Sequence, residues 1–444
     1  MKKPAVAPSI EELLTKLVPQ RLLDILTLEP SSTGQQYYHW DELRRRDPPH
    51  SLSHQEWWLK LKFARCQTRR SVPLTDSKGN PFSYCLADNI LEKLQLIDAR
   101  ASNNMVISEK LVNSGQRDRY AISSLIEEAI TSSQLEGAIT TRKDAADMLR
   151  SGRAPRDKSE QMILNNFRAM QKILTMKDQE ITPERICKLH RIVTEHMLED
   201  DTGAGRIQRA DDKRVAVWDE TTGDILHQPP PAKKLAKRMK KMCAFANNQN
   251  ADGPYMHPLI RAIILHFWLA YDHPFEDANG RTARALFYWL MLKQGYWLFA
   301  FISISSLLKK SPASYAKSFL YTETDENDLS YFIIYQLKII LRSIKKLEKY
   351  ISRKTNETQA LDGQLNNRMA FNHRQKALIA HALKTPGTVY SIESHRLSHQ
   401  ISYATSRADL MKLEELDLLR QFKVGKGFRY KAVEHLQKAL QQID

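Results

Sequence analysis

Apolar residues recur at helical spacing along most of this chain. Ser9-Ile10-Glu11-Glu12 reads as an N-cap, and Leu13, Leu14 and Leu17 continue it at helical spacing. Ser53 with Glu56 forms a second such box before Trp57-Trp58, and Pro48-Pro49 breaks the chain ahead of it. Ile90, Leu91, Leu94 and Ile97 predict a further helix. So do Ile122, Leu125, Ile126 and Ala129 within 120–135, and Ile163, Phe167, Met170, Ile173 and Leu174. Thr182-Pro183 starts another, as N-cap and first helical residue, carrying Leu189, Ile192, Val193 and Met197. Helices are expected over 232–246, 257–271, 281–295 and 329–350.

Strand-like segments are short and come in pairs. Residues 70–74 and 82–84 flank a turn at 75–81, and 214–218 and 224–227 flank Glu220-Thr221-Thr222-Gly223. Near the C-terminus, helices are expected over 373–383 and 391–399 and from Ser402, with Leu410, Leu413 and Leu416 on one face. A hairpin follows, 418–424 and 428–431, tipped by Gly425-Lys426-Gly427. The fold class is therefore mainly α with small β-hairpins.

Composition narrows the function classes. The chain has 444 residues, 42% apolar and 27% charged, as in a globular protein of two or three domains. Lys and Arg number 67 against 51 Asp and Glu, a net charge of +16 that favours anionic partners such as nucleotides or nucleic acid. A generally basic surface would give the same count. Cys66, Cys85, Cys187 and Cys243 have no paired spacing, so neither a zinc site nor a disulfide framework is indicated. The first nine residues lack the apolar core of a signal peptide, and no apolar run approaches the roughly 18–20 residues that span a bilayer. A cytoplasmic protein without membrane segments is expected.

One stretch is chemically loaded: His273-Pro274-Phe275-Glu276-Asp277-Ala278-Asn279-Gly280-Arg281-Thr282-Ala283-Arg284. It joins two apolar helices. Asn279 and Gly280 tolerate positive φ, which would turn successive N–H groups into one concavity at a helix N-terminus. Arg281 and Arg284, three apart, add two cations on one helix face. An anion, most economically a polyphosphate, suits this set. Asp277 then fits if a divalent cation lies between it and the phosphates.

The stretch fits H-x-F-x-(D/E)-(G/A)-N-G-R-x-x-R throughout and resembles the catalytic motif of the Fic (Fido) family, with Ala278 where Gly is commoner. The resemblance implies a helical Fic core and an ATP-dependent protein adenylyltransferase, a nucleotidyltransferase that moves AMP to a Ser, Thr or Tyr hydroxyl of a protein, itself included. It implies His273 as general base and Asp277 as the Mg²⁺ ligand. It assigns the ATP phosphates to Asp277, Ala278, Asn279, Gly280, Arg281, Thr282, Ala283 and Arg284, and it places Tyr315 near the adenine. Phe275 would anchor the loop in the core.

Earlier in the chain, Ser132-Ser133-Gln134-Leu135-Glu136-Gly137 ends a helix. Glu136 would sit at the negative end of that helix dipole, disfavoured unless a cation compensates. The segment resembles the inhibitory (S/T)-x-x-x-E-(G/N) motif of auto-inhibited Fic proteins, formed here by Ser132, Glu136 and Gly137. The resemblance implies that Glu136 pairs with Arg284 and keeps it from the γ-phosphate. The hairpin over 214–227, with Val215, Ala216 and Val217, is similar to the family's flap, which docks the target segment by strand addition. Tyr37-Tyr38-His39-Trp40-Asp41 with Ser53 to Trp58 resembles a leader found in some Fic proteins; its aromatic residues could stack bases or pack against helices, and packing is the reading adopted here. His190 and His196 read as packed or surface residues. Lys233, Lys234, Lys237, Arg238, Lys240 and Lys241 read as a solvated basic face, with a patch for a target or nucleic acid as the alternative.

The C-terminal helices and hairpin resemble a winged helix-turn-helix. Thr405, Ser406 and Arg407 would then face a DNA groove and Lys426 a phosphate, although such modules also bind proteins or dimerise. The expected domains are a helical N-terminal region, 1–115; a Fic domain, 116–352, with inhibitory helix 120–137, flap 214–227 and motif 273–284; a linker, 353–372; and the winged helix, 373–444. The partners implied are ATP, a hydroxyl-bearing protein, DNA through the C-terminal domain, and a second copy as a homodimer. Two alternatives stay open: transfer of another phosphate-containing group or removal of AMP, and a nucleotide-sensing DNA-binding regulator.

Overall fold

A computed structural model describes residues 3–28, 36–49, 52–102, 117–198, 201–212, 214, 216–218, 223, 225–249, 254–366, 371–385, 387–399, 401–424 and 427–441. The protein is mainly α-helical, with three small sheets among the described residues. The chain divides into two compact units, 1–348 and 349–444, at a point inside the helix Ser330–Asn366. The linker expected from residue 353 is therefore helical as far as Asn366. No described helix is long and apolar enough to cross a membrane.

The first unit is built around two buried helices. Pro258–Asp272 starts with Pro at its first position and a His257 cap, and Asn279–Lys293 follows it after the motif loop. Both are apolar nearly all round, and nearly all their side chains are buried, as befits helices covered on every side. Around them lie Lys158–Met176, Pro183–Thr194, Leu235–Ala246 and Arg117–Leu135. Thr182 caps Pro183–Thr194 by accepting from the Arg185 N–H, as its sequence predicts.

Arg117–Leu135 packs on Lys158–Met176 through Ile126 and Ile130, which join Ala145, Met148 and Ile163 in one apolar cluster. Its other side meets Ser305–Leu308. There the buried Glu128 carboxylate accepts from Ser303 Oγ at 2.7 Å, Ser305 N at 3.1 Å and Ser305 Oγ at 2.5 Å. A buried carboxylate is tolerated only with such a set of donors.

The N-terminal helices form their own cluster around Leu13, Ile25, Leu43, Trp57 and Trp58. Both capping boxes, Ser9 with Glu12 and Ser53 with Glu56, are formed. Trp57 and Trp58 are buried, which leaves them no face for a base. Arg65 lies 3.8 Å from the Tyr37 ring centroid, and Lys62 pairs with the buried Asp325 at 2.7 Å. This buried polar network ties the N-terminal helices to the end of the helix Pro312–Thr324.

The second unit contains His373–Lys384, Ile392–His399 and Tyr403–Glu415, then the hairpin Leu419–Val424 and Gly427–Ala432, with Val389–Tyr390 added as a third strand. Its core gathers Leu378, Ile379, Leu410, Leu413, Leu418 and Tyr430. Asp409 links the helices: it accepts from Arg374 Nε at 2.6 Å, Asn372 Nδ2 at 2.7 Å and His395 Nε2 at 3.2 Å. Ser406, expected to face DNA, is instead buried and donates to the Ile392 carbonyl at 2.6 Å. Thr405 is engaged in the cap, its N–H on Ser402 Oγ at 3.1 Å. Arg407 is exposed, and Lys426 lies outside the described residues.

Candidate active site

The motif loop is held by its main chain. Pro258–Asp272 ends at His273 with φ 47°, and Asn279–Lys293 is capped by Ala278 with φ 61°. The positive φ values therefore fall on His273 and Ala278, whereas Asn279 and Gly280 are already helical. Left-handed backbone costs a non-glycine residue roughly 1–2 kcal/mol. Hydrogen bonds to the loop's main chain offset that cost. Asn279 closes the loop on Phe275, accepting from its N–H at 2.9 Å and donating to its carbonyl at 2.8 Å. Arg214 donates to the carbonyls of Asp272 at 2.7 Å and His273 at 2.8 Å. The Gln208 N–H donates to the Pro274 carbonyl at 2.9 Å.

His190 supports the loop from beneath. Its ring stacks on Phe275 with centroids 3.8 Å apart. The Gly205 N–H donates to Nδ1 at 3.0 Å, so the proton of the neutral ring is on Nε2, which lies 3.0 Å from the Asp277 carbonyl. Burial pushes this imidazole down to about 4, which keeps it neutral, and the two bonds fix that tautomer. His190 is packed, as expected, and positions the loop as well.

His273 is half-buried at the end of its helix. Burial lowers its pKa to about 4, and the positive charges of His227 and Arg214 act in the same direction. The ring is thus a free base at neutral pH, able to accept a proton. Asp277 projects outward with a side chain 53% exposed, one oxygen 3.2 Å from Arg281 Nη2. Arg281 is buried; its Nη1 donates to the Val193 carbonyl at 3.2 Å and its Nε has no partner. Burial lowers the Arg281 pKa, partly offset by Asp277.

Arg284 is buried as well. Its Nε donates to Ser132 Oγ at 2.8 Å, Nη2 to the Ser132 carbonyl at 3.0 Å, and Nη1 lies 2.9 Å from Glu136 Oε1. Burial works against the charge, but Glu136 and other nearby anionic groups more than offset it, and the guanidinium pKa is raised. Gly137 ends the turn with φ 96°. A Cβ added at Gly280 would collide with the Glu136 carboxylate.

The first-turn amides of Asn279–Lys293 lie outside the helix's own ladder, a site for an anion. Thr282 and Ala283 contribute less than expected: both side chains are buried, and the Thr282 N–H is committed to the Ala278 carbonyl at 2.9 Å. Tyr315 Oη is bonded to His266 Nε2 at 2.7 Å, and its ring stacks near Tyr335. Burial raises the Tyr315 pKa, opposed by Arg284 beside it. In the hairpin, Val217–Trp218 pairs with Ile225–His227, and Val217, Trp218 and Ile225 are exposed. Ala216 is half-buried, and Val215 lies outside the described residues.

A sequence model of the Fic/DOC family matches residues 180–291, which include the helix Pro183–Thr194, the flap hairpin and the whole motif loop. Residues 180–291 are a Fic/DOC domain. The chain is 33% identical over 121 residues to a "Protein adenylyltransferase Fic" of Drosophila ananassae, and 32% identical over 123 residues to one of Nematostella vectensis. These matches cover 27% and 28% of this chain but only 22% and 26% of those proteins. The fold is similar to the crystal structure of a Fic family protein from Desulfovibrio desulfuricans G20, with a TM-score of 0.53 and 17% identity, covering 79% of this chain and 98% of that one.

Four supports of the Fic/DOC domain's site escape sequence reasoning. They are His190, Arg214, the Asp272–Arg238 pair at 2.5 Å and the Glu128 cluster. Arg238 belongs to the stretch read as a solvated basic face, yet it is buried and also donates to the Thr75 carbonyl at 2.8 Å; the five lysines around it are exposed. Each partner lies far away in sequence, so no local spacing betrays it.

Proposed function

We propose that this chain is an auto-inhibited protein adenylyltransferase that transfers AMP from ATP to a hydroxyl of a protein. The observation that carries the reading is the motif loop, with a neutral His273 beside an anion site made by a helix N-terminus, Arg281 and Arg284.

In this mechanism the target hydroxyl attacks the α-phosphorus, His273 accepts its proton, and pyrophosphate leaves. Low basicity in the resting protein is no obstacle, because ATP brings negative charge that raises the His273 pKa toward neutrality. The amides of Asn279, Gly280 and Arg281 hold phosphate oxygens, and Arg284 takes the γ-phosphate once Glu136 withdraws. Asn279 acts indirectly, through its two bonds to Phe275. The exposed flap edge receives an extended target segment by main-chain pairing.

Asp277 suits Mg²⁺. It is an outward-facing carboxylate at the mouth of the anion site, and no cluster of three or more His, Cys, Asp or Glu competes for the ion among the described residues. Mg²⁺ usually takes one or two carboxylates and completes its shell with substrate phosphates and water. When bound, it would neutralise charge developing on the phosphates.

The brake follows from the same geometry: Arg284 cannot hold Glu136 and a γ-phosphate at once. Intact-mass measurement of purified Glu136→Gly with ATP and Mg²⁺ tests the whole reading. An AMP adduct that disappears in the Glu136→Gly, His273→Ala double variant supports it; no adduct from ATP in the single variant refutes it.

In the second unit, Arg407 is exposed on the helix Tyr403–Glu415, whose Ser402 cap is intact. We propose that a phosphate-rich duplex lies against this helix. A gel shift that weakens with salt and is lost in Arg407→Ala tests this; an unchanged shift refutes it.

A further inference from the structure

His227 closes the flap hairpin, and both nitrogens of its ring face acceptors. Nδ1 lies 2.8 Å from Glu323 Oε2, and Nε2 lies 2.8 Å from the Tyr271 carbonyl oxygen. A carbonyl only accepts. An ionised carboxylate only accepts. Neutral imidazole has a single N–H, so it can satisfy one of the two contacts and must leave the other as a lone-pair repulsion. Both are satisfied only when the His227–Glu323 pair holds an additional proton. The ring also packs on Tyr271, with centroids 4.6 Å apart, and its side chain is largely buried.

These contacts join three parts of the molecule. His227 is on the strand Ile225–His227, Glu323 on the helix Pro312–Thr324, and Tyr271 two residues before His273. Among the described residues the hairpin pairs Val217 with His227 and Trp218 with Ile225, the second after an irregularity. An isolated two-stranded ribbon is marginally stable at best. Its placement therefore depends on what ties it down: among the described residues Arg214 holds its start to the motif loop, and His227 holds its second strand to Glu323 and Tyr271.

We propose that His227 is a proton-dependent latch of the flap: as imidazolium it clamps the docking strand to Glu323 and to the backbone beside His273, and the deprotonated ring releases it. This rests on the adenylyltransferase reading for its catalytic consequence, although the latch itself does not. His227 is a positioning residue. It acts through the flap, and its charge also bears on the base.

The acceptors that touch it favour the cation, and the nearby cations stand behind Asp272. Glu323 comes from Pro312–Thr324, and Tyr271, Asp272 and His273 come from the end of Pro258–Asp272. Behind Asp272 stand Arg238, 2.5 Å from it, and Arg214, which bonds the carbonyls of Asp272 and His273. Burial lowers the His227 pKa, but Glu323, the Tyr271 carbonyl and Asp272 outweigh it, and the value is raised. A raised histidine pKa means the latch is fully formed below the ordinary imidazole value of about 6.5 and is lost as pH climbs through the raised value. His273 has the opposite shift, down to about 4. Base and latch thus leave an interval, between about 4 and the raised His227 value, in which His273 is free and His227 is charged.

Three measurements on the full chain test this. In the first, the histidine rings are labelled and titrated by NMR, with His227 assigned by its loss in His227→Gln. One ring titrating above the ordinary value, and shifted down in Glu323→Gln, supports the latch; a His227 that titrates at or below the ordinary value overturns it. In the second, hydrogen exchange of a peptide spanning the flap is compared with that of a buried reference peptide at the same pH. His227→Gln and Glu323→Gln should each speed flap exchange by about tenfold or more, the effect of losing one charged hydrogen bond. Equal exchange in a Glu323→Gln protein that melts like wild type overturns the proposal. In the Glu136→Gly background, self-adenylylation should fall on the alkaline side, and His227→Gln should remove that alkaline fall. An unchanged alkaline fall would overturn the catalytic consequence. Absence of any adduct would overturn the adenylyltransferase reading, while the NMR and exchange results still decide the latch.

Discussion

Glu136 reaches Arg284 across the bare α-carbon of Gly280. Glu136 Oε1 lies 2.9 Å from Arg284 Nη1, and a Cβ on residue 280 would lie 2.9 Å from Glu136 Cδ and 3.1 Å from Arg284 Nη1. In the proposed mechanism this position of the motif would serve two occupants in turn. Without a side chain, it lets the Glu136 carboxylate approach the helix N-terminus, and it would leave the same room for a phosphate. The Glu136 side chain is 31% exposed, whereas that of Arg284 is buried.

Replacing Glu136 by Gly should raise self-adenylylation by about tenfold or more, the range of a coupling free energy of 1–3 kcal/mol. Intact mass against time, wild type beside variant, reads this. Equal rates would remove the brake from the account.

Gly280→Ala should separate the two occupants. The added methyl must push Glu136 aside, so the ion pair opens, yet it also crowds the phosphates. We expect weaker ATP binding by calorimetry than in Glu136→Gly, by about tenfold. Binding equal to that of Glu136→Gly would mean that the α-carbon of residue 280 does not approach the nucleotide.

Glu128 holds the same helix two turns earlier, on Ser303 and Ser305. In Glu128→Ala those donors lose their acceptor inside the protein, which costs about 1–3 kcal/mol per unsatisfied group. The melting temperature should fall, and basal adduct formation should rise although Glu136 is intact. A lower melting temperature without added adduct would show that Glu128 serves stability alone.

Acid should destabilise the first unit by way of its buried imidazoles. Burial holds His190, His273 and His39 near 4 and His266 near 3. Each folded pKa is depressed below the unfolded value of about 6.5, so the unfolded chain binds more protons as pH falls. Stability is complete above about 6.5 and drains away toward pH 4, at up to about 1.4 kcal/mol per pH unit for each group. Urea midpoints between pH 7 and pH 4 measure this. In His190→Phe, which keeps the stacking on Phe275, the slope should be shallower; an unchanged slope would mean that His190 does not contribute.

In the second unit, Asp409→Asn removes the charge that holds Arg374 and His395. The unfolding transition of residues 349–444 should drop by about 3–5 kcal/mol, the cost of breaking a buried pair from one side. Calorimetry of the full chain resolves it as a shift of one transition.

Local chemistry made much of this protein legible in its sequence. The capping residues Ser9, Ser53 and Thr182, the long apolar runs on either side of the motif, and the turns between short strands all act within a few residues of themselves. So does the motif loop, whose acid, glycine and arginines are consecutive, and the Glu136 end of its helix called for a cation. The places where the reading failed share one cause: burial is decided by what packs on top. Arg238 and Ser406 look like surface residues by spacing and are enclosed by distant elements. Positive φ fell on His273 and Ala278, because the hydrogen bonds from Arg214, His190 and Asn279 set the loop's path rather than the intrinsic freedom of Asn279 and Gly280. The protonation of His227 and His273 could not be read from sequence at all. Both are histidines with the same intrinsic pKa, burial lowers both, and the carboxylate of Glu323 beside His227 separates them.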